Sequence, residues 1–204
     1  MSGFRLSVEM NLEEGALLVS VARRAVEHYF ATQKLYKPVG QYLQEKRGVF
    51  VSIYTHPAKE LRGCIGFVKP DMPLDEATAR AALAAAFDDP RFPPMTIEEL
   101  PRVVFEVSVL TPPVPVSSVS REELPAKIEV GKDGLVLETP YGSGLLLPQV
   151  PVEYGWNAEE YLSHLCVKAG LNPTYWVYGE MRLSKFRAEV FSEVEPRGAV
   201  VRKQ

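Results

Sequence analysis

The sequence predicts an α+β fold, an antiparallel sheet with flanking helices. Helix-like and strand-like segments follow one another irregularly, without the strict βαβα rhythm of a doubly wound sheet. The strand-like segments are separated by short turn sequences such as Lys132-Asp133-Gly134, which suit antiparallel neighbours. The helical segments that begin at Asn11, Thr96 and Asn157 open on their own capping residues, which marks them as discrete elements.

The first helix starts at Asn11, with Asn11 as N-cap and Glu14 as the reciprocal partner of a capping box. Leu17, Leu18, Val21, Ala22, Ala25 and Tyr29 follow at helical spacing, and the pattern ends near Thr32. His28 lies beside that stripe and reads as a boundary-of-core residue. Val49 to Tyr54 is β-branched and aromatic, hence a strand. A polar turn from Thr55 to Glu60 leads into a second strand, Leu61 to Val68, so the two form a hairpin. Leu74 to Phe87 is Ala-rich, a good helix former whose small side chains allow a close neighbour. Asp88-Asp89-Pro90 ends it.

Thr96-Ile97-Glu98-Glu99 is another capping box. Val103 to Leu110 reads as a strand, closed by Pro112-Pro113-Val114-Pro115. Ile128 to Val130 and Leu135 to Leu137 are expected as strands around the Lys132–Gly134 turn. Tyr141 to Gly144 is expected as a turn, with Leu145 to Leu147 following. Asn157 to Glu160 caps a helix whose inward residues are Tyr161, Leu162, Leu165, Cys166 and Ala169, with Gly170 as its stop. Phe186 to Glu193 is expected as one last strand.

The bulk properties narrow the classes. A chain of 204 residues buries roughly 70% of its unfolded surface and needs no metal or disulfide staple. The longest apolar runs fall far short of the roughly 20 residues that cross a bilayer. Glu9, Glu13 and Glu14 precede the first apolar stretch and Arg23 and Arg24 follow it, the reverse of a secretory signal. The expectation is a cytoplasmic protein with no membrane association. The net charge of −3, with Lys and Arg spread along the chain, argues against a nucleic-acid partner. Cys64 and Cys166 have no CxxC partners and read as free thiols. The three histidines show no zinc-ligand spacing. Asn is rare and Pro frequent, at 17 residues, a composition suggestive of a thermophilic source.

Chemistry concentrates at Leu61-Arg62-Gly63-Cys64-Ile65-Gly66. In a strand, alternate residues share a face, so Arg62, Cys64 and Gly66 point one way. Residues two apart lie about 6.6 Å apart along the strand. A guanidinium at that distance reaches the sulfur and lowers a thiol pKa. Gly63 and Gly66 leave space above the backbone for a ligand. Arg62 is alternatively an anchor for a carboxylate or phosphate. The competing reading is structural: Cys64 is a buried thiol, and Arg62 pairs with Glu106 on a neighbouring strand.

Leu61 to Gly66 matches the signature hexapeptide of the AMMECR domain family. Asp89-Pro90-Arg91-Phe92, Glu106 to Pro112, Gly131 to Leu135, Gly144 to Val150 and Trp156 to Gly170 resemble further blocks of that family in the same order. The chain departs from the pattern at Phe67, where the family often carries Thr. The resemblance implies a single AMMECR-type domain over residues 1–204, with a larger and a smaller subdomain around a cleft. It implies an association with Memo-type or radical S-adenosylmethionine proteins. It specifies no substrate, reaction or cofactor.

The candidate catalytic residue is therefore Cys64. Candidate ligand-binding residues are Arg62, Gly63, Gly66, Glu106, Asp89, Arg91 and Gln149. Asp89 and Arg91 either line the site or merely close the helix-stop turn. Gln149, between Pro148 and Val150, either bonds a ligand or satisfies buried backbone. Ser143 lies in neither a GxSxG elbow nor a P-loop and reads as a tight turn. His164 shares a solvated helix face with Glu160 and Lys168. His56 sits at the far end of the hairpin from Cys64, which argues against a Cys/His pair. Two functions compete: an enzyme using the Cys64 thiol, and an adaptor that docks a protein partner.

Overall fold

A computed structural model describes residues 9–38, 43–69, 71–117 and 120–203. The chain forms two compact units, 1–110 with 189–204, and 111–188.

In the first unit α1 (Leu12–Thr32) carries the expected capping box in full, Asn11 Oδ1 accepting from Glu14 N and Glu14 accepting from Asn11 N. Strands β1 (Val49–Thr55) and β2 (Leu61–Phe67) form the expected antiparallel hairpin. Helix α2 (Leu74–Phe87) has the expected bounds, and a 3₁₀ turn, Ile97–Arg102, precedes β3 (Val103–Leu110). Strands β8 (Ala188–Glu193) and β9 (Val200–Lys203) complete a sheet of order β2-β1-β3-β8-β9. Its inner face presents Val49, Val51, Ile53, Phe105, Val107, Val109 and Phe191, all fully buried with α1 and α2 in one core.

Two glycines set how closely the helices lie. A Cβ on Gly15 of α1 would stand 2.1 Å from the Phe191 ring, and one on Gly63 of β2 would stand 2.0 Å from the Ala85 carbonyl oxygen of α2. The Ala-rich composition of α2 is thus matched by a glycine on the strand beneath it. A buried ion pair ties α1 to the sheet: Arg23 Nε and Nη2 each donate to Glu193 at 2.6 Å, and Phe105 N donates to the same carboxylate.

The second unit holds β4 (Val114–Pro115), β5 (Gly134–Thr139), β6 (Gly142–Leu146) and β7 (Arg182–Phe186) in the order β4-β7-β5-β6. Helices α3 (Gln149–Tyr154), α4 (Ala158–Lys168) and α5 (Tyr175–Tyr178) accompany it. The inward face of α4 is as expected: Tyr161, Leu162, Leu165 and Cys166 are buried. Gly170 follows the helix with φ +78°, the left-handed stop its position requires.

Three expectations fail here. Ile128 to Val130 is not a strand. Both edges of β5 are taken by β6 and β7, and Glu129 instead turns back, its N–H donating to Asp133. The turn around Tyr141 is shorter than expected, and Gly142–Leu146 is already strand. The last expected strand is two, because the chain leaves β7 at Phe186 and enters β8, in the other sheet, at Ala188. That switch of sheet leaves no mark in the hydrophobic pattern. No helix among the described residues is long and apolar enough to cross a membrane.

Candidate functional site around Cys64

Cys64 lies mid-strand in β2, at the edge of the first sheet. Its cross-strand neighbour is Ser52 of β1, and Ser52 in turn faces Glu106 of β3. Facing residues of adjacent strands share a face, so thiol, hydroxyl and carboxylate form one transverse row on the side opposite α1 and α2. The Ser52 hydroxyl donates to Cys64 Sγ at 3.1 Å. At the end of the row Lys203 of β9 binds the Glu106 carboxylate, and its ammonium lies 5.6 Å from the Tyr54 ring centroid.

The free edge of β2 at Cys64 is closed by side chains. Asp89 Oδ2 accepts from Cys64 N at 2.8 Å, and Arg91 Nη2 donates to Cys64 O at 3.3 Å. Arg91 also grips Asp89 through Nε at 3.0 Å and Nη2 at 2.8 Å. Asp89 and Arg91 therefore do for Cys64 what another strand would do, satisfying its backbone and blocking edge pairing. Because these groups point outward, Ser52 and Cys64 are a non-hydrogen-bonded pair, the kind in which facing side chains come closest. The Arg91 guanidinium, followed by the amides of Cys64 and Arg91, holds the Asp89 carboxyl far below the usual carboxylate range despite its burial.

Arg62 is placed differently from the alternation expected of it. Gly63 faces Ile53 and Leu61 faces Tyr54, so Arg62 is the extra residue of a β-bulge. A bulge re-aims the side chain it carries. Arg62 Nε and Nη2 donate to Glu99 at 2.6 and 3.2 Å, and Nη2 donates also to the Pro93 carbonyl at 2.9 Å. The partner anticipated for it, Glu106, is held by Lys203 instead. Burial raises the Glu99 carboxyl, but Arg62 and the Thr96 amide outweigh it and leave the group lowered.

The thiol is also unlike the one expected. Burial pushes Cys64 up, the Ser52 hydrogen bond and the charge of Arg91 pull it down, and Asp89 and Glu106 push it up again; the net direction is upward. The cation that pulls the thiol down is Arg91, while Arg62 is held by Glu99. The two glycines provide no room for a ligand. The space beside Gly63 is filled by Ala85, and a Cβ on Gly66 would stand 2.4 Å from the Phe50 ring and from the Val49 carbonyl oxygen.

Gln149 belongs to the second unit, where it opens α3 and is exposed rather than set among apolar neighbours. His164 is exposed as expected, but its ring stacks on Trp156 at 3.7 Å between centroids. His56 sits in the hairpin turn, its N–H bonded to the Arg102 carbonyl. Cys166 is buried in the second core. Among the described residues no group of three or more His, Cys, Asp and Glu is placed to hold a metal ion.

Sequence reasoning missed Ser52 and Lys203. Ser52 carried a weak signal, as a small polar residue set between Val51 and Ile53 in β1. Lys203 carried none, because only the order of strands brings β9 within reach of Glu106.

The AMMECR1 family model matches residues 19–191, a span that takes in the hexapeptide, Asp89, Arg91 and Glu106. The chain belongs to the AMMECR1 family. It is 50% identical to Protein MJ0810 of Methanocaldococcus jannaschii, over 96% of this chain and 98% of that one. It is 52% identical to a protein of Thermofilum pendens, over 94% and 95% of the two chains. Among solved structures it is similar to the crystal structure of the uncharacterized protein PH0010 from Pyrococcus horikoshii, with a TM-score of 0.80 at 50% identity, covering 95% of this chain and 98% of that one. These relatives come from thermophilic archaea. An AMMECR1 chain with an α+β fold is what the ordered sequence blocks imply.

Proposed function

We propose that this AMMECR1 protein is a thiol-dependent enzyme in which Cys64 is the reacting group. The 3.1 Å contact between Ser52 Oγ and Cys64 Sγ carries the reading. A hydroxyl aimed at a half-buried sulfur stabilises the thiolate more than the thiol. Glu106, one strand beyond Ser52 in the same row, serves as proton acceptor. In an acyl transfer, Cys64 sulfur attacks the carbonyl carbon, an S–C bond forms and the leaving group departs with its electron pair. The thiol proton passes through the Ser52 hydroxyl to Glu106, and Lys203 offsets the carboxylate charge beforehand. Asp89 and Arg91 fix the backbone of the nucleophile, a preorganising role. With its guanidinium on Glu99 and Pro93, Arg62 braces the neighbouring loop, and the geometry gives no support to its use as an open anion anchor.

Residues 1–204 act as one domain in this reading, supported by a family match that spans parts of both units. The site needs no cofactor for this step, and a cytoplasmic, reducing setting keeps Cys64 a free thiol. The test is p-nitrophenyl acetate with a Cys166→Ser protein. One equivalent of p-nitrophenolate released in a burst, and lost in Cys64→Ala, is expected. No burst, or one that survives Cys64→Ala, contradicts the reading.

A second reading, an adaptor for a Memo-type or radical S-adenosylmethionine protein, has its own support. In the second unit Tyr175 packs edge-on against both Tyr141 and Tyr178, and these two are 78% and 67% exposed. Exposed aromatic clusters are common anchors of protein interfaces. Capture of a purified Memo-type protein by the wild type, lost in Tyr178→Ala, supports docking; equal capture by both speaks against this surface.

A further inference from the structure

Apart from the Cys64 row, the first unit contains a cavity of about 240 Å³ beside α1 and the β8–β9 turn. Ser20, Arg23, Arg24 and Glu27 line it from α1, and Glu193 and Arg197 from the end of β8 and the turn. Three guanidinium groups thus meet two carboxylates. Arg23 is spoken for by Glu193. Arg197 Nε and Nη2 both donate to Glu27 Oε1, at 3.1 and 2.9 Å. Arg24 is exposed and makes no ion pair or hydrogen bond with any described residue, and the Ser20 hydroxyl makes no hydrogen bond either. One positive charge is left uncompensated in a concave setting, with a hydroxyl beside it on the same helix. Ser20 and Arg24 are four residues apart, so they occupy one face of α1.

We propose that this cavity binds a small oxyanion of the phosphate class, either inorganic phosphate or the phosphoryl group of a small metabolite. Arg24 supplies the net charge, Ser20 a hydroxyl from the same face of α1, and Arg197 a further donor from the turn. A planar carboxylate is satisfied by one guanidinium fork. A tetrahedral phosphoryl group carries about −1.5 to −2 charge and offers three acceptor oxygens, which suits donors converging from a helix and a turn. The volume leaves room for a small group attached to the phosphorus. The site is independent of the thiol chemistry proposed above.

The experiment is thermal unfolding of the full chain in sodium phosphate, in glycerol 3-phosphate, and in sodium chloride at matched ionic strength. Binding to the folded state raises Tm progressively with ligand concentration. The expected result is a phosphate-dependent rise in the wild type and in Lys168→Gln, a charge control on α4. In Arg24→Gln the rise disappears while Tm in chloride is unchanged, because Arg24 holds no other residue in place. A larger rise with glycerol 3-phosphate assigns the site to phosphorylated metabolites, and an equal or smaller one to inorganic phosphate. A rise of the same size in Arg24→Gln, which a general salting effect would give, overturns the proposal. So does the absence of any rise above chloride.

Discussion

Asp89 accepts a hydrogen bond from the main-chain N–H of Cys64, 25 residues away, at 2.8 Å. The most chemically suggestive residue of the hexapeptide is thus held from outside its own hairpin. Asp89 in turn is clasped by Arg91, so the turn that stops α2 is also the brace of the candidate nucleophile.

Asp89→Ala leaves the Cys64 N–H without its acceptor and Arg91 without its partner. The expected loss is about 2 kcal/mol, typical for removal of one partner from a buried charged hydrogen bond. The folded-state pKa of Asp89 lies below its unfolded value, near 3.9. Its contribution is therefore fully present above about pH 5 and declines as pH falls below 4, toward the still lower folded value. Guanidinium unfolding at pH 7 and pH 3 checks both points: the gap between wild type and Asp89→Ala narrows at the lower pH.

Gly63→Ala places a methyl group 2.0 Å from the Ala85 carbonyl oxygen. The obstacle is helix backbone, which cannot swing aside as a side chain would. Overpacking of this kind costs about 3 kcal/mol, read as a lower denaturation midpoint at unchanged slope. A neutral effect would mean that α2 does not lie against β2 as described.

Arg62→Gln separates the two roles weighed for this residue. Its charge is engaged by Glu99, and the guanidinium that pulls the Cys64 thiol down is that of Arg91. The expected outcome is a stability loss of about 1–2 kcal/mol with the pH profile of Cys64 alkylation unmoved. A shift of that profile would restore Arg62 as the group that tunes the thiol.

Glu106→Gln removes a negative charge that raises the Cys64 pKa. Alkylation by iodoacetamide at pH 8 therefore speeds up, while the proposed acyl burst slows because its proton acceptor is gone. Opposite movement of these two readouts is a signature that simple loosening of the fold does not produce.

Much of the frame was legible in the sequence. The caps at Asn11 and Asn157, the bounds of α2 and β3, and the inward face of α4 follow from local rules and stand in the structure. What was not legible depends on neighbours far away in the chain. The bulge at Arg62 is set by the β1 register, and one extra residue was enough to send its side chain to Glu99. Gly63 and Gly66 looked like openings for a ligand because sequence cannot show that Ala85 and Phe50 fill them. Asp89 and Arg91 could be named as candidates from the turn after α2, but their hold on the Cys64 backbone requires α2 to deliver them to an open sheet edge. Ser52 became visible only once the register placed it opposite the thiol.

The central claim is that Ser52 and Cys64 act as a unit, and it is tested most directly by the rate of Cys64 alkylation against pH in a Cys166→Ser protein, with and without Ser52→Ala. The claim predicts a native-state rate that rises at a pH above that of an ordinary thiol, and a profile moved to still higher pH by Ser52→Ala. A Cys64 that alkylates only on unfolding, or a profile that Ser52→Ala leaves in place, would contradict it.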